Sequence, residues 1–178
     1  TQQAQTIWHE RLQPAAREIT VGIMGFGELG RDAAGKLQAL GFNIAGWSRT
    51  AKSAEGVETF AGEDGLDGFL AASDIVVVLL PLTADTRGII DAGFLSRLKR
   101  RTPLGGPVLI NAGRGGLQNE AAILEALDQD TLMEASLDVF NVEPLPADHP
   151  LWRHPRVFVT PHAAAVSDPD ALGPAVMR

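Results

Sequence analysis

The sequence predicts an α/β domain, a Rossmann-type doubly wound parallel sheet with helices on both faces. Three observations carry that reading. Short runs of Val, Ile and Leu alternate with amphipathic stretches along most of the chain. The runs are near-continuous, as in strands covered on both faces, so the sheet is expected to be parallel. In "VGIMGFGELG" the glycines Gly25, Gly27 and Gly30 form a G-x-G-x-x-G turn between one such run and one such stretch.

Taken in order, residues 1–18, "TQQAQTIWHERLQPAARE", are polar with scattered apolar positions. They predict a helix that stops near Gln13, ahead of Pro14, with little to bury by itself. Because the first residue is Thr1 and not Met, this segment is expected to be an interdomain linker in a longer protein. From Ile19, "ITVGIM", "LGRDAAGKLQAL" closed by Gly41, and "FNIAGW" form a β-α-β unit. The alternation continues through "DIVVVLL" (Asp74 to Leu80), "AGFLSRLK", "PVLINA" (Pro107 to Ala112), "NEAAILEALDQ", "MEASLDVF" and "RVFVT" (Arg156 to Thr160). Two loop-rich intervals, "NVEPLPADHPLWRHP" and the tail from Ala163, follow strand ends. The predicted domain runs over 19–167, and 168–178 are expected to begin a returning helix.

With 178 residues, 45% hydrophobic and 21% charged, the chain has the length and composition of one domain with a real core. It contains no cysteine, so neither a disulfide framework nor a thiolate metal site is available, and a cytoplasmic location is expected. No apolar run approaches the roughly 18 to 20 residues that span a bilayer, and the N-terminus lacks the order of a signal peptide. A net charge of −7 argues against a nucleic-acid surface. Any anionic ligand must be held by a local positive site.

The glycine turn supplies one. Gly25 makes the tight turn, Gly27 leaves room for a pyrophosphate, and Gly30 lets helix and strand pack closely. The helix is expected to start near Leu29, and its N-terminus, with Glu28 and Leu29 counted in the cofactor site, turns free N–H groups and a positive dipole end to the phosphates. About 20 residues on, where an NAD site would carry a ribose-binding carboxylate, the second strand ends in Trp47 followed by Ser48 and Arg49. A carboxylate would repel a 2′-phosphate, whereas a guanidinium pairs with it in a fork. The cation therefore implies NADP(H) in preference to NAD(H). Lys52 adds a second point charge, and the Ser48 and Thr50 hydroxyls are potential donors.

Three further stretches suggest chemistry. "LINAGRGG" puts Arg114 past one strand, "LDVFNVEPLP" puts Glu143 after another, and "VFVTPHAAA" puts His162 after a third. All three converge on the carboxyl edge of the sheet, where open α/β folds bind ligands. The residue types suit 2-oxoacid reduction: Arg for a carboxylate and carbonyl oxygen, His as proton donor, and a carboxylate to hold the imidazole and favour its charged form. His9, His149 and His154 read as surface residues, with neither carboxylate nor metal-ligand spacing.

From about Ile19 to Ser167 the sequence resembles the nucleotide-binding domain of the D-isomer-specific 2-hydroxyacid dehydrogenases, most of all their glyoxylate/hydroxypyruvate reductase branch. The resemblance rests on "GFGELG", "LLPLTADTRGIID", "LINAGRGG", "LDVFNVEPLP", "HPLWRHPRV" and "TPHAAA". It implies that Arg114 binds the substrate carboxylate and carbonyl, that His162 protonates the carbonyl oxygen during hydride transfer, and that Glu143 orients and charges His162. It also implies that Leu80, Pro81 and Thr86 line the cofactor and that Asp138 meets the nicotinamide carboxamide. Ala112, before Arg114, is counted with the cofactor site. Ser48-Arg49 in place of the family's more usual Asp is similar to its NADPH-preferring reductases. "GGLQNEAAIL" lacks the Asp often found before that helix, leaving the local cap open. The resemblance further suggests a homodimer through this domain and a small 2-oxoacid or 2-hydroxyacid substrate. Only 18 residues precede Ile19, so the substrate domain is expected to be absent and the chain to turn over poorly. One rival stays open, a non-catalytic nucleotide-binding and dimer-forming module; a 3-hydroxyacid dehydrogenase is not the expected reading, because it would use a lysine on a separate helical domain and no such domain is expected to follow.

Overall fold

A computed structural model describes residues 5–10 and 12–164. Seven strands form one sheet: β1 (Thr20–Met24), β2 (Asn43–Ser48), β3 (Val57–Ala61), β4 (Ile75–Val78), β5 (Val108–Asn111), β6 (Glu134–Leu137) and β7 (Val157–Val159). Their order is β3-β2-β1-β4-β5-β6-β7, and every neighbouring pair is parallel. The chain starts in the middle, winds out to β3, returns past β1 and winds the other way. The reversal between β1 and β4 is the switch point at which such sheets open a ligand crevice.

The covering helices are α1 (Glu28–Ala39), α2 (Leu66–Ala72), α3 (Ala92–Ser96) and α4 (Glu120–Asp128). Successive residues of a central strand serve opposite faces. Met24, Val76 and Val78 join Phe69 and Leu70 of α2, Phe94 of α3 and Ile123 and Leu127 of α4 in one core. Val21, Ile23 and Ile44 join Ala34 of α1 and Phe26 in the other. Side chains such as Phe69, Phe94 and Leu127 are wholly buried, each worth roughly 1.5–3 kcal/mol relative to exposure. At the amino edge of the sheet the buried Asp74 carboxylate accepts the Thr20 N–H at 2.8 Å and pairs with Lys99 Nζ at 2.7 Å, which ties β1 to the segment after α3.

The expected N-terminal helix is not there among the described residues of 5–15; a single 3₁₀ turn, Ala16–Glu18, leads into β1. The physical reason is exposure: Trp8 and Leu12 are 99% and 97% exposed, and a short helix with nothing to pack against is not stable in water. The expected returning helix at 168–178 lies outside the described residues. Two elements went unread, β3 and α2. "VETFA" is a half-exposed edge strand carrying Glu58, and α2 has only seven residues behind the turn "GEDG". The helix read in "AGFLSRLK" is shorter than its pattern, Ala92–Ser96, capped by the Asp91 side chain. The open cap before α4 is resolved: Asn119 Oδ1 accepts the Ala122 N–H at 3.1 Å.

Candidate active site

The loops after β1, β2 and β4 enclose a cleft of about 850 Å³ at the carboxyl edge. Gly25, at φ 113°, turns the chain so tightly that a Cβ there would stand 2.8 Å from the Leu79 carbonyl. A Cβ on Gly30 would stand 2.4 Å from the Gly25 oxygen, so this glycine is required by the packing of α1 on the turn. Gly27 is different. Its Cβ would meet no protein atom within 4 Å and its φ is ordinary, so the protein itself does not require a glycine there. It borders the cleft at the N-terminus of α1, where a pyrophosphate would need that space. Glu28 and Leu29 open α1 with exposed side chains, which leaves backbone N–H groups as their contribution.

At the far end stand Trp47, Ser48, Arg49, Thr50 and Lys52. Trp47 is 7% exposed, and its indole N–H is pinned to the Gly62 carbonyl at 2.9 Å, making a rigid wall. Arg49 is exposed, and among the described residues no hydrogen bond or ion pair engages its guanidinium. Two of these side chains already have partners within the protein. Ser48 Oγ donates its one hydrogen to the Thr50 carbonyl at 2.7 Å, leaving it an acceptor. Lys52 Nζ donates to the Phe26 carbonyl at 2.9 Å, bracing the glycine turn with one of three donors. Leu80, Pro81 and Thr86 line the same cleft; the Thr86 hydroxyl closes its own loop by donating to the Pro81 carbonyl at 2.7 Å. The donor set therefore fits a dinucleotide with an anionic group at the adenosine ribose. Phe26, Glu63, Leu66, Thr83, Ile89 and Arg97 also line it and were missed, Glu63 and Leu66 because the β3–α2 unit was.

Beside the cleft, β5, β6 and β7 deliver Arg114, Glu143 and His162 from adjacent strand ends. Glu143 and His162 are brought together: Glu143 Oε2 lies 2.8 Å from His162 Nδ1. Glu143 Oε1 accepts the Phe140 N–H at 2.9 Å, which anchors the carboxylate. The bond from His162 is the chief cause, and the Phe140 N–H the next, of a Glu143 carboxyl held below its usual range. Bound at Nδ1, the imidazole leaves Nε2 as its working nitrogen. Arg114 is exposed one strand over, its Nη1 donating to the neighbouring Gly113 carbonyl at 2.6 Å. Ala112 closes β5 with its N–H on the Val78 carbonyl at 3.1 Å. Gly30, Ala112 and Asp138 do not line the cleft itself. Two histidines depart from the reading. His149 Nε2 lies 3.5 Å from Glu120 and His154 Nε2 lies 3.3 Å from Asp128, and both are half-buried, because the long loop after β6 folds back on α4. Among the described residues no group of three His, Cys, Asp or Glu is placed to hold a metal ion, and no helix is long and apolar enough to cross a membrane.

Known proteins are similar to this chain in sequence and fold. "Glyoxylate/hydroxypyruvate reductase A" of Citrobacter koseri is 47% identical over 165 residues, which is 93% of this chain and 51% of that protein. A crystal structure of an NADPH-dependent glyoxylate/hydroxypyruvate reductase from Sinorhizobium meliloti, in complex with NADP and sulfate, matches with a TM-score of 0.94 and 53% identity, covering 99% of this chain and 55% of that one. A probable 2-hydroxyacid dehydrogenase from Rhizobium etli, in complex with NADP, HEPES and L(+)-tartaric acid, matches with a TM-score of 0.93 and 52% identity over 99% of this chain and 55% of that one. The chain thus spans about half the length of the relatives it matches. The model of the D-isomer specific 2-hydroxyacid dehydrogenase NAD binding domain matches residues 1–164, and the chain belongs to that family.

Proposed function

We propose that this chain is the cofactor-binding and proton-donating part of an NADP(H)-dependent reductase of small 2-oxoacids, glyoxylate and hydroxypyruvate among them. The observation that carries the reading is the Glu143–His162 pair, 2.8 Å apart, on the same sheet edge as a cleft whose far end carries Arg49, unengaged among the described residues. NADP(H), when bound, supplies the hydride through C4 of its nicotinamide. His162 gives a proton from Nε2 to the substrate carbonyl oxygen while Glu143 holds Nδ1, and Arg114 binds the substrate carboxylate. Gly25, Gly27 and the α1 N-terminus take the pyrophosphate, and Arg49 with Lys52 takes the 2′-phosphate. Leu80, Pro81 and Thr86 flank the cofactor, and Asp138 meets the carboxamide. The names of the Citrobacter and Sinorhizobium relatives support the substrate class, and the NADP in two solved relatives supports the cofactor.

In these 178 residues the site is open: the His162 and Glu143 side chains are 44% and 36% exposed. A solvated cation such as Arg114 holds a carboxylate by only about 1 kcal/mol, and proton and hydride transfer need donors preorganised away from water. The chain alone is therefore expected to bind NADPH and to reduce oxoacids slowly. A homodimer through this domain belongs to the same reading, supported by the apolar N-terminal side chains Ile7, Trp8 and Leu12, all more than half exposed. So does a cytoplasmic location, supported by the cysteine-free composition. The test is loss of NADPH absorbance with glyoxylate or hydroxypyruvate, for the chain and for His162→Asn. Slow turnover abolished by the substitution is expected. NADPH binding with no His162-dependent turnover, also in a chain of the relatives' full length, would make this a non-catalytic nucleotide-binding module.

A further inference from the structure

Asp138, at the end of β6, is 6% exposed, and its carboxylate is occupied on both oxygens. Oδ1 accepts the Thr160 hydroxyl at 2.5 Å and the Ala163 N–H at 2.8 Å, and Oδ2 accepts the Ala164 N–H at 3.0 Å. The backbone carbonyl of the same residue accepts the His162 N–H at 2.8 Å. One residue thus grips the turn before His162, at it and after it. His162 itself has φ 51°, the left-handed region that is strained for a residue with a Cβ. Such a conformation persists only where its surroundings enforce it, and it decides where the imidazole points. Here it points Nδ1 at Glu143, which is anchored separately through Phe140.

We infer that Asp138 and Thr160 are positioning residues for His162, holding the turn 160–164 in the conformation that brings the imidazole to Glu143. What His162 then does rests on the function proposed above; the holding does not. Around Asp138, burial is the largest influence and works to raise its carboxyl. The Thr160 hydroxyl, the Ala164 and Ala163 N–H groups and the His162 charge outweigh it and keep the carboxyl below its usual range, so the clamp is an ionised one.

Glu143 reports on the clamp. Its low titration depends first on the hydrogen bond from His162, whereas the negative charge of Asp138 works in the opposite direction and raises it. Asp138→Asn therefore separates two accounts by sign. If Asp138 acts only as a nearby charge, removing it lowers the Glu143 midpoint. If it positions His162, the substitution takes away one of the acceptors that hold the turn, the bond to Glu143 loosens, and the midpoint rises. Thr160→Val changes no charge and deletes one bond of the clamp, so it must also raise it. Thr160→Ser keeps the hydroxyl.

The experiment follows the Glu143 carboxyl by ¹³C NMR from low to neutral pH in the 178-residue chain, without cofactor or substrate, so its result is independent of the reductase reading. Upward movement toward an ordinary glutamate in Thr160→Val and Asp138→Asn, with Thr160→Ser close to the unaltered chain, is expected. Thr131→Val, which removes a hydroxyl bonded at 3.0 Å to the Ala126 carbonyl far along the chain, leaves the midpoint where it was. A folded Asp138→Asn whose Glu143 midpoint falls, or a folded Thr160→Val that does not move it, overturns the inference. Should Asp138→Asn fail to fold, Thr160→Val decides alone.

Discussion

Arg49 and Lys52 are both cations at the adenosine end of the cleft, and the structure separates what their loss does. Arg49 engages no other group among the described residues, so Arg49→Ala removes nothing from the fold. On the function proposed above, what it removes is the fork that pairs with the 2′-phosphate. A hydrogen bond to a charged group is worth about 1.5–3 kcal/mol, which is about tenfold to about a hundredfold in affinity. NADPH binding should weaken by that factor while NADH binding stays within about twofold, since NADH carries no phosphate there. Lys52→Ala behaves differently. Its Nζ braces the Phe26 carbonyl at 2.9 Å, so losing it loosens the glycine turn, to which the proposed function gives the pyrophosphate common to both cofactors. Both affinities should fall, NADPH more than NADH. The assay is titration of each cofactor against the fluorescence of Trp47, which is 7% exposed and lines the cleft, with Trp8 and Trp152 replaced to remove their exposed signal. If Arg49→Ala leaves the NADPH to NADH ratio unchanged, the 2′-phosphate is not read by this guanidinium and the cofactor assignment fails.

Gly27→Ala should leave thermal stability within about 0.5 kcal/mol but weaken NADPH at least about tenfold, because its Cβ meets only open space, which the proposed function gives to the pyrophosphate. Gly30→Ala should destabilise the apoprotein itself, its Cβ falling 2.4 Å from a backbone oxygen; an equal loss of stability in both variants by urea unfolding would refute the distinction. Glu143→Gln tests the sign of a pH effect. The Glu143 carboxyl is depressed in the folded chain, chiefly by His162, so its stabilisation is present above the ordinary glutamate value and lost as pH falls through the depressed one. The Tm difference between the chain and Glu143→Gln should therefore shrink on acidification below about pH 4, and a constant difference would dissociate the pair from stability. Lys99→Met leaves the Asp74 carboxylate, 1% exposed, with only the Thr20 N–H among the described residues, and should cost about 1–3 kcal/mol in urea unfolding; no loss would mean that water reaches Asp74.

The central strands were legible in the sequence because a parallel sheet buried on both faces favours near-continuous apolar runs, and "IVVVLL" and "VLI" supply them. That rule fails at the edge. In β3 one face is half-open, Glu58 sits in mid-strand, and the run no longer stands out from the loops around it. The N-terminal segment failed for the opposite reason: its local pattern suited a helix, but helix stability comes from burying a face, and Trp8 and Leu12 bury nothing.

The candidate site divides along the same line. Residue types at strand ends were readable, since a strand's last residue and the loop after it are adjacent in sequence, and that alone brought Arg114, Glu143 and His162 to one edge. Partnerships across the fold were not. Glu143 and His162 are nineteen residues apart, His149 comes from the loop after β6 and Glu120 from the first turn of α4, and Lys52 reaches a carbonyl twenty-six residues back. Asp138 shows what is lost. By position it reads as one more cofactor-facing carboxylate after a strand, yet its side-chain oxygens accept from Thr160, Ala163 and Ala164 in the turn that holds His162. Both assignments can hold together, because a carboxylate oxygen with one acceptor site filled has another free. Oδ2, with a single bond to the Ala164 N–H, is the atom left to meet a carboxamide. On that account the group that holds the proton donor also touches the hydride donor, and a shift of one is felt by the other through a single side chain.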